Sequence, residues 1–362
     1  MLSEAKSSKE RLASTNYEVN VISHDVELDS KGRPFERRVV SVGDEADPEM
    51  VEKMRAIGDM WEGKLRNHPE WLPPKPQPDT FGKLAIPSDN AAAHWLYRDW
   101  NAQGNQGSME AWAATLFPTA RALYPLQRLA DGGRVLPGGM IDERAQFLFT
   151  HMVDGIGLRS RARIYAQQLV EIAKNSPEDE ISIVSLGSGA GVPNIDATER
   201  IEKELGKAVD WDLYDTDSES LEFAKELVGE AAIVSSSFRY GDPIDQYKVV
   251  RRSYGRAFGL PRESVDVVDA IGLWEYIDSE NAVKFAAKAY QLVKPGGSLI
   301  VSNMLPDRPQ REFNQRAVGW PGLFLRSEED LLEIISQAGI DTASVTMTHA
   351  TDGVYVVMEI KK

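Results

Sequence analysis

The 362-residue chain contains no cysteine, which excludes disulfides, thiolate metal sites and cysteine nucleophiles. That absence fits a reducing compartment. The chain also lacks any apolar run near the roughly 18 residues that a membrane span requires. Met1 to Leu12 is polar and mixed in charge, without the apolar segment of a secretory leader. The expectation is a cytoplasmic protein with no membrane partner. Positive charge is in deficit: 41 Lys and Arg against 56 Asp and Glu leave a formal net charge of −15. A protein that grips nucleic acid by neutralising phosphates shows a basic total or a basic face. Here the basic clusters, Arg251-Arg252 and Arg159 to Arg163, are short and isolated. Nucleic acid is therefore excluded as a partner, and small molecules remain open. Histidine is scarce, no His-x-x-x-His occurs, and the acids are dispersed, so no metal site is expected.

A hydrophobic fraction of 42% is ordinary for a folded domain, and the length allows two domains. Tyr17-Glu-Val-Asn-Val-Ile-Ser alternates as a strand does, and Phe35 to Val42 is its expected partner across Ser30-Lys-Gly-Arg-Pro. Pro48 to Arg66 predicts a helix with Met54, Ile57, Met60 and Trp61 at helical spacing. Trp71-Leu-Pro-Pro-Lys-Pro-Gln-Pro predicts a stiff connector. Helical patterning then runs from Asn90 to about Asn175, rich in Trp95, Trp100, Trp112, Phe117, Tyr124 and Phe147. Those aromatics are read as a bundle core rather than a cofactor box. Ile156 to Ala173 is a long amphipathic helix. Residues 1–150 are thus expected to form a mainly helical N-terminal cap or extension, and 151–362 a second domain.

From Glu180 short β-rich runs alternate with helical stretches, the texture of βαβ units. The expected strands are Ile181–Leu186, Val209–Tyr214, Ala232–Ser236, Val265–Ala270, Ser298–Asn303, Ser344–His349 and Val354–Ile360. The last two, joined by Ala350-Thr-Asp-Gly, predict an antiparallel hairpin. The fold class is α/β: a doubly wound, mostly parallel seven-stranded sheet with an antiparallel C-terminal hairpin.

The first of these strands ends in Gly187-x-Gly189-x-Gly191, where a bare backbone can bend sharply and approach a ligand. Pro193 suits the first turn of the helix that follows. A ligand on this bend lies at the carboxyl edge of the sheet, at its topological switch point. Asp215 tips the second strand, where a carboxylate can accept both hydroxyls of a ribose. Asp242 follows the third. Val265 to Ile277 is a strand running into a site-facing loop, Leu292-Val-Lys-Pro-Gly-Gly is a turn, and Ser327-Glu-Glu-Asp-Leu starts a helix with a serine cap and stops at glycine.

In that order these features resemble the class I S-adenosylmethionine-dependent methyltransferase family, over about residues 155 to 362. The resemblance implies S-adenosylmethionine as cofactor. Gly187, Gly189 and Gly191 would line its methionine part, Asp215 its ribose, and Asp242 or its neighbours its adenine; Ser188, Thr216 and Gly272 join the same set. One departure stands out: the family places an acid two residues before the first glycine, and here that position is Ser185.

Methyl transfer is an in-line displacement that needs positioning and dryness first, and a base only if the acceptor must lose a proton. Glu275, Tyr276 and His151 are the candidate catalytic residues, with His349 a weaker one. Asn303, Arg316, Trp320 and Phe324 are candidate walls of an acceptor pocket. Solvated or packing roles for each stay open. The function implied is methyl transfer to a small-molecule acceptor. Competing readings are a non-catalytic protein of the same fold, for which Ser185 speaks, and an NAD-dependent oxidoreductase, against which the missing G-x-G-x-x-G and the closing hairpin speak. A basic peptide acceptor and a homodimer are compatible with the charge and the extension. Neither the acceptor nor the atom methylated is legible.

Overall fold

The computed structural model describes residues 17–70, 107–116, 119–234, 247–250, 254–320 and 323–362. The proline-rich connector, Trp95, Trp100, Phe117 and Asp242 lie outside the described residues.

The first described segment is a hairpin, β1 (Val19–Leu28) with β2 (Pro34–Val42), paired antiparallel. Helix α1 (Pro48–Arg66) has the bounds that its sequence pattern predicts. Asp47 caps it by accepting from the Glu49 and Met50 N–H groups, and Pro48 occupies the first turn, where no N–H is needed. Met54, Trp61 and Leu65 face inward, whereas Met60 points to solvent. Helices α2 (Ser108–Leu116), α3 (Glu143–His151) and α4 (Val153–Asn175) follow.

The remainder alternates strand and helix: β3 (Glu180–Leu186), α5 (Val192–Leu205), β4 (Ala208–Tyr214), α6 (Ser218–Val234), β5 (Tyr247–Val250), β6 (Val265–Ala270), α7 (Ser279–Leu292), β7 (Val293–Met304), α8 (Glu328–Gln337), β8 (Val345–Ala350) and β9 (Tyr355–Lys361). The third expected strand is displaced. Ala232–Val234 belong to the end of α6, and the strand is Tyr247–Val250. The run Ala-Ala-Ile-Val has β-branched residues only at its end, and a helix already under way extends into it at little cost.

One sheet takes all nine strands, in the order β1-β2-β8-β9-β7-β6-β3-β4-β5. The expected seven strands become nine because the N-terminal hairpin joins the sheet: β2 pairs parallel with β8, from Glu36↔Thr346 to Val40↔Ala350. Strands β3 to β7 are mutually parallel, and β9 runs antiparallel to both β7 and β8, as the closing hairpin predicts. Lys294-Pro-Gly-Gly bulges out where the β6–β7 register shifts between Val265 and Val267.

Alternation along the strands gives the sheet two apolar faces. Ile181, Ile183, Val209, Trp211 and Val267 pack with α4, α5 and α6. Val184, Leu186, Val268 and Ala270 pack with α7 and α8. Trp211 is fully buried and donates from Nε1 to Thr198 Oγ1 at 2.7 Å, so its indole N–H leaves no unmet demand. Ser327 and Asp330 form a reciprocal capping box at the start of α8. A third apolar cluster joins Met54, Trp61, Trp112, Phe149 and Phe313 to Met304 and Tyr355 at the carboxyl edge of the sheet. The helices of the first part of the chain therefore pack where β7 ends and β9 begins.

Candidate active site

The bend after β3 passes through Gly187, Gly189 and Gly191 at φ of 73°, 54° and 68°. The Gly187 and Ser188 N–H groups both donate to Tyr214 O, at 2.8 and 3.1 Å, which ties the bend to the end of β4. Asp215 points at the bend. Its Oδ2 accepts from Gly189 N–H at 2.8 Å and its Oδ1 from Asp217 N–H at 2.8 Å. Burial pushes the Asp215 carboxyl up, and those N–H groups pull it back down. Gly189 is a place where no other residue fits. A Cβ there would stand 2.6 Å from the Ala120 Cβ, on a backbone that side chains avoid. Ser188 Oγ is buried without a hydrogen-bond partner among the described residues. Thr216 is exposed beside Asp215.

Ser185 does not stand alone. It donates from Oγ to Asp269 Oδ1 at 2.8 Å, across the pairing Ser185↔Asp269 of β3 and β6. Tyr165 on α4 donates to Asp269 Oδ2 at 2.7 Å, and Asn194 in the first turn of α5 donates from Nδ2 at 3.4 Å. A carboxylate thus sits one strand over from position 185, on the same face, directly beneath the bend. Burial pushes Asp269 up to about 7, against the Tyr165 and Ser185 hydrogen bonds that hold it down. Sequence reasoning missed this residue. Its signal was present in Val265-Asp-Val-Val-Asp, where the second acid follows two valines and falls at a buried position next to the strand's end.

The second half of the site is a cleft walled mainly by apolar and aromatic side chains with a few convergent polar groups, the composition of a small-molecule site. Its aromatic walls are Trp112, Tyr276, Trp320 and Tyr355. Asp154, Leu158 and Arg161, at helical spacing on α4, form one side. Glu275 and Tyr276 lie on the turn Trp274–Tyr276 that follows β6, as expected, and both line the cleft. Glu275 is 2% exposed, with Oε1 at 3.5 Å from Arg161 Nη1. Burial pushes its carboxyl up and the Arg161 guanidinium opposes that. Tyr276 accepts from Trp320 Nε1 at 3.1 Å, and burial raises its phenol well beyond ordinary tyrosine, so it stays protonated. Gly272 belongs with this cleft: its φ is 95°, and a Cβ there would press within 2.8 Å of the Arg161 guanidinium.

Other candidates are placed elsewhere. His151 ends α3 rather than opening the following helix, and its Nδ1 is 2.8 Å from Phe147 O. His349 pairs with Glu328 at 3.0 Å. Arg316 holds the carbonyls of Leu65 and His68 at the end of α1. Asn303 donates to Met304 O and Phe324 O and receives Arg326, which anchors the loop behind the cleft. Of the four expected wall residues only Trp320 is a wall.

Bend and cleft are joined by a strap, residues 119–135. Ala120 rests on Gly189, while Leu123 and Leu126 line the cleft. Three arginines tie the strap to the helices below: Arg121 to Glu219, Arg128 to Asp196, and Arg134 to Glu230.

Strands β3 to β9 lie in the order β5-β4-β3-β6-β7-β9-β8, the arrangement of the class I methyltransferase fold that the sequence resembles. No protein-family model and no curated protein matches the chain. Among solved structures it is similar to a possible exported protein from Bordetella parapertussis, at 17% identity and a TM-score of 0.54, over 77% of this chain and 97% of that one. It is similar as well to an O-methyltransferase family protein from Burkholderia thailandensis (15%, TM-score 0.43, 75% and 71% of the two chains). A magnesium protoporphyrin IX methyltransferase from Synechocystis with bound S-adenosylmethionine is a third (14%, 0.40, 58% and 84%). At these identities the likeness is one of fold, and function has to be argued from the site.

Proposed function

We propose that the protein transfers a methyl group from S-adenosylmethionine to a small molecule held in the cleft. The observation that carries this reading is the pairing of the bare bend with Asp215. The bend admits no Cβ at Gly189, and the carboxylate that tips β4 is aimed at it. In this reading Gly187, Ser188 and Gly191 flank the methionine end, Ser188 Oγ finds there the partner it otherwise lacks, and Asp215, with Thr216 beside it, meets the ribose. Asp269 takes the place of the acid that Ser185 lacks, as a positioning residue beneath the bend. That weakens the non-catalytic reading, which rested on Ser185. Bound there, S-adenosylmethionine supplies an electrophilic methyl on a sulfonium.

The chain's own residues do the rest. The aromatic walls and the strap exclude water from the acceptor. The cleft holds the acceptor atom toward the bend, in line for the methyl that the bound donor would supply. The proton displaced from the acceptor goes to the Glu275 carboxylate, the buried acid that lines the cleft on the turn after β6. Tyr276 orients as a neutral phenol. His151, bonded to Phe147 O outside the cleft, has no part in the transfer. Residues 1–150 act as the cap that supplies the strap, and 151–362 as the cofactor-binding part.

Calorimetric titration with S-adenosylhomocysteine tests the cofactor half. The parent is expected to bind, and Asp215→Ala to bind about 1–3 kcal/mol more weakly, the penalty for orphaning a hydrogen-bonded polar pair. Equal affinity of variant and parent would remove Asp215 from the site.

A further inference from the structure

The polar atoms of the cleft are unbalanced. Asp154 is 5% exposed and holds Arg308 at 3.1 Å through Oδ2, while its Oδ1 has no hydrogen-bond partner among the described residues. Glu275 meets Arg161 through Oε1, and its Oε2 is likewise without one. Asn314, 1% exposed, donates through Nδ2 to Gln310 O and leaves Oδ1 open. Three buried oxygens on three lining residues therefore wait for donors. On the donor side Arg161 Nε and, behind Asp154, the Arg308 N–H groups are open among the described residues, and the Arg161 guanidinium lies over the Tyr355 ring, 4.6 Å from the centroid. Asp154 is faced by Arg308, and Glu275 by Arg161 and, from the loop behind, Arg326, so both carboxylates already have cationic partners and what the cleft lacks is hydrogen-bond donors. Around it the walls are Trp112, Trp320, Tyr276 and Tyr355, with the Trp112 and Trp320 rings 6.5 Å apart and inclined by only 28°. Flat walls of this kind favour a flat guest.

An orphaned buried acceptor costs free energy until a ligand donor reaches it, so a site built to receive donors rejects analogues that lack them. A carboxylate on the ligand would add a buried negative charge next to Asp154 and Glu275. We infer that the acceptor is an uncharged or cationic aromatic molecule carrying two or more O–H or N–H donors, one of which, held by Glu275, is the group methylated. This inference rests on the methyl-transfer reading for the fate of the ligand, and on the cleft alone for its class.

The test uses the full chain and three naphthalene probes: 2,3-dihydroxynaphthalene, its dimethyl ether, and 2-naphthoate. Binding is measured by calorimetry in the presence of S-adenosylhomocysteine, so that no turnover intervenes. The diol is expected to bind at least about tenfold tighter than either analogue, since each unmet donor–acceptor pair costs on the order of 1 kcal/mol or more. Glu275→Gln is expected to narrow that preference several-fold while S-adenosylhomocysteine binds as to the parent. Asp154→Asn serves as a second variant and should narrow it too. Equal binding of diol and diether, or tighter binding of the naphthoate, would overturn the class. If S-adenosylhomocysteine binds and no probe does, the class fails and the methyl-transfer reading stands. If the diol is preferred and S-adenosylhomocysteine is not bound, the cleft inference stands and the methyl-transfer reading falls.

Discussion

The two halves of the site are built on opposite principles. Around the glycine bend the carboxylates are satisfied from within the chain, Asp215 by two backbone N–H groups and Asp269 by Tyr165, Ser185 and Asn194, and only Ser188 Oγ is open among the described residues. In the cleft, three buried oxygens are left open among the described residues. A self-satisfied half is rigid and shaped in advance, which suits one invariant ligand that is met largely by backbone. A half with unmet demand gains most of its order from the guest, and it discriminates by chemistry. One helix serves both: α4 presents Asp154, Leu158 and Arg161 to the cleft and, a turn further on, Tyr165 to the buried Asp269.

The contrast is broken most severely at Gly189. Placing alanine there puts a Cβ 2.6 Å from Ala120 on a backbone with φ of +54°. The expected cost is about 2–4 kcal/mol, from left-handed strain and overpacking together. If the same penalty is felt by the bound ligand, binding of S-adenosylhomocysteine should fall by roughly 30- to 700-fold, by the conversion of 1.4 kcal/mol per tenfold. The double variant with Ala120→Gly relieves the overlap but not the backbone, so melting temperature should recover in part while binding stays lost. Full recovery of binding would mean that the bend's bareness is a packing requirement of the strap alone.

How much of this was legible depended on whether the signal was local. The glycine bend, Asp215, the Ser327 cap and the closing hairpin are each written within a few consecutive residues, and each is where its spacing puts it. Helix α1 was legible for the same reason, with a cap, a proline and an apolar stripe in one run. What was not legible came from long-range pairing. Nothing in Phe35 to Val42 says that its inner neighbour is β8, more than 300 residues later in the chain. Nothing in Ser185 alone says that the missing acid is Asp269, because that needs the β3–β6 register. The acceptor walls stayed open between lining and packing for a related cause. Asn303, Arg316 and Phe324 are polar or aromatic residues close to the site along the chain, and they are spent on carbonyls and loop anchoring.

Asp269 offers a finer test of the self-satisfied half. Its folded pKa, about 7, lies above the ordinary 3.8, so between those values the folded chain holds a proton that the unfolded chain has released. The stabilisation from that proton is complete below pH 4 and is lost as pH rises through 7. Asp269→Asn cannot titrate. From pH 4.5 to pH 8 the stability of the variant should therefore gain on the parent by at least about 1 kcal/mol, since a tenfold difference in proton affinity between folded and unfolded chain is worth about 1.4 kcal/mol. Denaturant unfolding at the two pH values checks this, and parallel behaviour of the two proteins would show that Asp269 stays ionised in the fold.

The smallest effect is expected where the halves are tied together. Arg134 grips Glu230 through two contacts of 2.6 Å, yet the pair is partly open to solvent, with 25% and 39% of the side chains exposed. Such pairs contribute roughly 0.2–1 kcal/mol. Arg134→Met keeps much of the aliphatic stem and removes the charge, together with the guanidinium that lies over Phe223. Thermal stability should barely change. If the strap has to lift from Gly189 for the nucleoside ligand to enter, the loss of one tie lowers that barrier by the same fraction of a kcal/mol. Association of S-adenosylhomocysteine, followed by stopped-flow tryptophan fluorescence, should then quicken up to about fivefold. Raising the salt concentration should quicken the parent toward the variant, because an exposed ion pair is screened. An association rate indifferent to both changes would mean that the ligand reaches the bend by a route that leaves the strap in place, and the two halves would then be filled independently rather than through a shared cover.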